Sequence, residues 1–158
     1  MKIYFANALF SQADFNYNAT LVATLRQAFP DVTIYLPQEN AAINDKQTYA
    51  NAVMIAQADT AELTHSDLML AVLDGATIDA GVASEIGVAF ANHIPIIGLY
   101  TDSRQQGATN SQKLTALQTI AENQFHYLNL YTIGLIKQNG LIVNQLADLK
   151  TAIRTYLN

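Results

Sequence analysis

No cysteine occurs anywhere in the 158 residues, which excludes disulfides, thiolate metal sites and a cysteine nucleophile together. Charge is scarce as well. Only 13% of residues are charged, the net charge is −5, and the eight basic side chains form no run. The chain therefore lacks the phosphate-neutralising patch that nucleic-acid binding draws on, and no nucleic-acid partner is expected. No apolar run approaches the length of a membrane span. The opening MKIYFANALF turns polar too soon for a signal peptide. A cytoplasmic protein without a membrane partner is the expectation. The three histidines, His65, His93 and His126, stand apart without metal-ligand spacing, so neither a metal nor an organic cofactor is expected. Two phosphate-cradling signatures are also missing: no G-x-G-x-x-G follows the first strand, and there is no P-loop.

What is present is an apolar chain, 51% hydrophobic, in which strand and helix patterns alternate. KIYFA (Lys2 to Ala6) reads as a buried strand. Ser11 to Phe29 carries Phe15, Leu21, Leu25 and Phe29 at helical spacing, with Ser11 as cap and Pro30 as stop. VTIYL (Val32 to Leu36) is a second strand, followed by an irregular loop over residues 38–46 and a helix from Gln47 to Thr64. DLMLAVL (Asp67 to Leu73) has the continuous apolar character of a central parallel strand. A helix over Ala80 to Ala91, a strand from Ile94 to Tyr100, a loop from Ser103 to Thr109 and a helix near Ser111 to Glu122 follow. A short strand after Gly140 and an amphipathic helix from Asn144 to Leu157 complete the pattern. The predicted fold is one α/β domain over residues 1–158, a doubly wound, parallel, five-stranded, flavodoxin-like sheet. Its ligand site is expected outside the carboxyl ends of the strands.

The segment Asp79-Ala-Gly-Val-Ala-Ser-Glu85-Ile-Gly87 falls on that side. Glu85 is the lone charge between Ala80 and Ala91. Its helical neighbours Gly81, Val82, Val88 and Ala89 are small or apolar. An acid there is either buried for chemistry or bonded to a structural partner, because an unpaired buried charge is costly. Spacing alone leaves those two readings level. Asp79 stands at an N-cap position. Read without further context, Tyr4 is a core aromatic, Asp59 a solvated surface acid and Asn129 a turn residue.

Taken together, KIYFA with Phe10, Asp59 in QADTAEL, the strand SDLMLAVLDG, the block DAGVASEIG and NLYTIG make the chain resemble the nucleoside 2-deoxyribosyltransferases, from Lys2 to about Gly134. The resemblance implies 2′-deoxynucleosides and free nucleobases as ligands. Glu85 becomes the nucleophile at C1′, Tyr4 the hydroxyl that positions it, and Asp59 the acid that meets the base. Asp79 accepts from sugar hydroxyls, and Phe10 and Gln38 stand near the base. Asn129 reaches a neighbouring subunit's site, toward the 5′-hydroxyl, which implies a homo-oligomer built from dimers, up to a hexamer. The family's aromatic before Phe10 and methionine two residues after the asparagine are replaced here by Leu9 and Tyr131, so Tyr131 occupies a substrate-contacting position with a different side chain. Two other readings stand beside the transferase: a deoxynucleoside hydrolase on the same scaffold, and a non-catalytic nucleoside-binding module.

Overall fold

The computed structural model describes residues 1–44, 49–105, 109–123 and 125–157. Among these, five strands form: β1 (Lys2–Ala6), β2 (Thr33–Tyr35), β3 (Leu68–Val72), β4 (Ile96–Leu99) and β5 (Gly140–Val143). All pair in parallel, in the order β2-β1-β3-β4-β5. The helices are α1 (Gln12–Ala28), α2 (Ala41–Asn44), α3 (Ala52–Thr64), α4 (Ala80–Ala91), α5 (Ser111–Ala116), α6 (Leu130–Gln138) and α7 (Leu146–Thr155).

Every residue of β3 is buried, because helices cover both faces of the sheet. Alternate strand residues feed two cores. Ile3, Phe5, Leu70 and Ile97 pack with Leu21, Val22 and Leu25 of α1 and Leu149 and Ile153 of α7. Tyr4, Met69, Ala71 and Ile96 pack on the other face with Leu63 of α3, Val82 and Ile86 of α4 and Ile136 of α6. The chain winds outward from β1 to β2, then crosses back to β3. The resulting switch point, where a doubly wound sheet opens a crevice, lies between β1 and β3. Beside it, Gly75 adopts φ +130°, a conformation that L side chains rarely take. Asp74 ties the ends of β3 and β4 together, accepting from Thr101 N–H at 2.7 Å and Asp102 N–H at 3.0 Å.

The α/β order and the five-stranded parallel sheet agree with the sequence pattern. The expected helix near 111–122 is confined to α5, which buries no residue and so has no packing to extend it. The helix α6 was not expected. Its β-branched residues and Gly134 give it weak intrinsic propensity, and burial of Thr132, Ile133, Leu135 and Ile136 holds it instead. The stretch taken as loop over 38–46 begins with a 3-10 turn, Pro37–Glu39, followed by α2. The helix expected from Gln47 begins only at Ala52, where the Asn51 side chain caps it by accepting from Met54 N–H; Gln47 itself and the centre of the 103–109 loop lie outside the described residues. No helix among those described is long and apolar enough to cross a membrane.

At the start of β5 a Cβ on Gly140 would lie 1.8 Å from the Ile96 carbonyl oxygen. Gly140→Ala is therefore expected to cost about 3 kcal/mol of stability through displaced backbone, read as a lower midpoint in chemical denaturation. An unchanged midpoint would show that β4 and β5 are not held this closely.

Candidate active site

Helix α4 is started by Asp79, whose Oδ1 accepts from Val82 N–H at 3.1 Å. Its buried stripe is Val82, Ile86 and Ala89, which leaves Glu85 on the flank of the stripe. A helical side chain leans over the turn that precedes it. Glu85 thus extends over Gly81 and Val82, toward the carboxyl ends of the strands. Gly81 has no side chain to fill that space. Tyr4, fully buried, rises from β1 and donates its hydroxyl to Glu85 Oε1 at 2.6 Å.

Helix α3 supplies the second acid. Ile55, Asp59 and Leu63 recur every fourth residue and so share one face. Leu63 is buried, and Ile55 and Asp59 line the same cavity as Glu85. Asp59 is therefore partly enclosed, not the solvated surface acid that its polar surroundings in the sequence suggest. Its Oδ1 accepts from the Tyr35 hydroxyl at 3.3 Å.

The cavity, of about 260 Å³, is walled by Leu9, Phe10, Pro37, Ile43 and Ile55 and carries Asp59, Asp79 and Glu85. Each of the three acids has one oxygen held by the protein, through Tyr35, the Val82 amide and Tyr4 respectively. The second oxygen of each has no hydrogen-bond partner among the described residues. Among the described residues no Lys or Arg lines the cavity. Burial pushes the Glu85 carboxyl up to about 7, with Asp59 and Asp79 adding repulsion and the Tyr4 hydroxyl opposing the rise. Burial, then the Glu85 charge, holds the Tyr4 phenol far above the usual tyrosine range. Burial likewise raises Asp59, with Tyr35 pulling it back. Among the described residues no cluster of His, Asp and Glu is arranged to hold a metal ion.

The structure thus brings Tyr4, Asp59, Asp79, Glu85 and Phe10 to one place, with Phe10 79% exposed at the rim. Gln38 does not line the cavity. Its Oε1 accepts from Asn18 and its Nε2 donates to the Phe15 carbonyl, which uses its amide to brace the wall. Asn129 caps α6, accepting from the Tyr131 and Thr132 amides. It and Tyr131 are exposed and lie outside this cavity. Reasoning from sequence missed Asn18, buried and bonded to Asn7, Ala8 and Gln38, and Tyr35. The signal for Tyr35 was present, because Ile-Tyr recurs in both KIYF and TIYL, and the two pairs align in parallel register.

A match to the model of the family described as nucleoside 2-deoxyribosyltransferase runs over residues 3–144, nearly the whole chain and every residue of the cavity. The chain belongs to this family. It is similar in structure to a conserved protein from Enterococcus faecalis V583, at 65% identity and TM-score 0.92, with 98% of this chain and 97% of that one covered. The 2-deoxyribosyltransferase of Leishmania mexicana shares the fold at 19% identity and TM-score 0.65, covering 99% and 96%. That of Bacillus psychrosaccharolyticus does so at 16% identity and TM-score 0.56, covering 94% and 96%. No match is found among curated protein sequences.

In this deoxyribosyltransferase-family chain the raised Glu85 pKa has a consequence for stability. Below pH 4.5, the ordinary value, the carboxyl is protonated whether the chain is folded or not. As pH rises toward the folded value of about 7, the unfolded chain loses its proton first, and the folded state is progressively disfavoured. That difference amounts to about 3 kcal/mol once the pH exceeds 7. Glu85→Gln should accordingly be more stable than the parent at pH 8 and equal to it near pH 4, as read from denaturation midpoints across pH. A gap independent of pH would show that Glu85 ionises normally.

Proposed function

We infer that the chain transfers 2-deoxyribose between nucleobases by way of a covalent ester on Glu85. The observation that carries this reading is Glu85 itself, a carboxylate with one oxygen fixed by Tyr4 and, among the described residues, no partner on the other and no counterion in its small cavity, where a second acid stands. A carboxylate so placed suits an oxocarbenium-like transition state at C1′, as in retaining glycosidases.

In the first half-reaction Glu85 forms a bond to C1′ as the bond from C1′ to the base nitrogen breaks, and Asp59 gives its proton to the leaving base. In the second half-reaction an incoming base attacks C1′, the ester C–O bond breaks, and the proton of the incoming nitrogen returns to Asp59. Two inversions give net retention, and the proton balance closes within one acid. Asp79, with an oxygen to spare, accepts from a sugar hydroxyl. Leu9, Phe10, Pro37, Ile43 and Ile55 give the base apolar walls. Asn129 and Tyr131, exposed at the start of α6 beside Leu130, which is 82% exposed, would complete the site of a second copy near the 5′-hydroxyl, in an oligomer built from dimers.

Incubation with deoxyinosine, with and without adenine, tests the reading by chromatography. Deoxyadenosine formed only when adenine is present is the expected result, and Glu85→Ala should abolish it while leaving the fold intact. Hypoxanthine released equally without adenine would make water the acceptor and the chain a hydrolase. No reaction of any deoxynucleoside would leave only a binding module.

The pair also predicts a pH signature. Glu85 must be ionised and Asp59 protonated, so the reactive state holds one proton between them. The rate of transfer should fall once that proton is lost, above about pH 7. In Asp59→Asn only Glu85 titrates, and the residual rate should rise with pH to a plateau. An alkaline fall that survives in this variant would remove Asp59 from the proton-carrying role.

A further inference from the structure

Parallel register sets Tyr4 of β1 opposite Tyr35 of β2, and their rings stack with centroids 5.4 Å and planes 23° apart. Each hydroxyl donates to one acid of the cavity, Tyr4 to Glu85 at 2.6 Å and Tyr35 to Asp59 Oδ1 at 3.3 Å. One unit, a strand tyrosine holding a helix carboxylate, is thus built twice, across β1 with α4 and β2 with α3. The second copy carries an extra contact. Asn40 Nδ2 donates to the Tyr35 oxygen at 2.9 Å, which occupies that oxygen as acceptor and leaves its proton for Asp59.

We propose that Tyr35 is a positioning residue for Asp59, fixing which oxygen of that carboxyl carries the transferable proton. The inference rests on the transferase reading, in which Asp59 protonates the departing base. A carboxylic acid accepts better through its carbonyl oxygen than through its hydroxyl oxygen. With Oδ1 held by Tyr35, the proton therefore resides on Oδ2. When the C1′–N bond breaks, the Oδ2–H proton passes to the base nitrogen, and the resulting carboxylate keeps its Tyr35 hydrogen bond, now charge-assisted and stronger. The acceptor's proton returns to the same Oδ2 in the second half-reaction.

The groups around Asp59 fit this role. Glu62 lies one turn along α3, and its charge joins burial in raising Asp59, while Tyr35 lowers it. Glu62 is itself paired with Lys2 at 2.5 Å, and the Lys2 Nζ lies 6.0 Å from the centre of the Tyr35 ring. Among the described residues, Tyr4 from β1 and Glu85 and Asp79 from α4 make up the remaining charged and titratable surroundings. The Tyr35 hydroxyl is the hydrogen-bond donor to Asp59 among the described residues.

Tyr35→Phe tests this while keeping the stacked ring. In the intact protein, side-chain carboxyl NMR should show Asp59 titrating about one pH unit higher than in the parent. With deoxyinosine and adenine, kcat should fall about tenfold with KM little changed, because the proton is no longer aimed. With 4-nitrophenyl 2-deoxyriboside as donor, whose leaving group departs without a proton, the first half-reaction should stay within about twofold of the parent. An unmoved Asp59 titration, or equal slowing with both donors, would overturn the proposal and reduce Tyr35 to packing. A parent protein that transfers nothing, although Asp59 still shifts in Tyr35→Phe, would overturn the transferase reading and leave the hold on Asp59 standing.

Discussion

The hydrogen bond from Tyr4 to Glu85, 2.6 Å long, is the contact on which the site depends. It joins the innermost part of the sheet to the one charge on α4. A carboxylate enclosed by Gly81, Val82 and apolar neighbours is expensive, and a buried donor meets that cost only in part. The remainder appears as the rise of Glu85 toward neutrality. On the transferase reading, stability and reactivity thus oppose one another at this residue: the fold favours the protonated acid, whereas attack at C1′ needs the anion. Enzyme sites commonly hold such a compromise.

Topology explains why the compromise is made here. The switch between β1 and β3 leaves the ends of both strands uncovered, while α3 and α4 flank the opening from one face. Parallel pairing gives neighbouring strands the same facing at equal register. A single dipeptide, Ile-Tyr, used in β1 and again in β2, therefore delivers from each strand one isoleucine to the core under α1 and α7 and one hydroxyl to the site on the opposite face. The helices answer with one acid apiece. Asn18 and Gln38 serve a different end, bracing the wall between the β1–α1 turn and the turn after β2 through side-chain amides.

The elements legible in the sequence are those whose pattern is local. The apolar run of β3 and the capped α1 and α4 belong to this group. Asp79 and Glu85 were legible for the same reason, since a cap and a lone charge are visible within one turn or two. The α6 helix was hidden because its residues favour it only once Ile133 and Ile136 meet the core. The enclosure of Asp59 was hidden because its environment comes from Tyr35, 24 residues away, and from α4. A stripe of Ile55, Asp59 and Leu63 was nonetheless there to be read, an acid standing at a position whose neighbours at plus and minus four are apolar. Gln38 shows the converse. The family resemblance set it near the base, but two protein partners already claim its amide.

Charge distribution then narrows what the proposed site can hold. Among the described cations, Lys2 pairs with Glu62, Arg26 with Glu39 and Arg104 with Asp102. No described Lys or Arg lines the cavity, so among the described residues its three acids have hydroxyls and an amide as partners in place of counterions. A ligand carrying a phosphate would enter against them, and at 4 Å each like-charge pair costs about 4 kcal/mol at an effective dielectric of 20. A neutral sugar offers the opposite match, since its hydroxyls donate to oxygens that the protein leaves free. On the transferase reading, the scarcity of positive charge noted at the outset therefore acts as a selection rule. It favours the free nucleoside over its 5′-phosphate without requiring any residue dedicated to rejecting the latter.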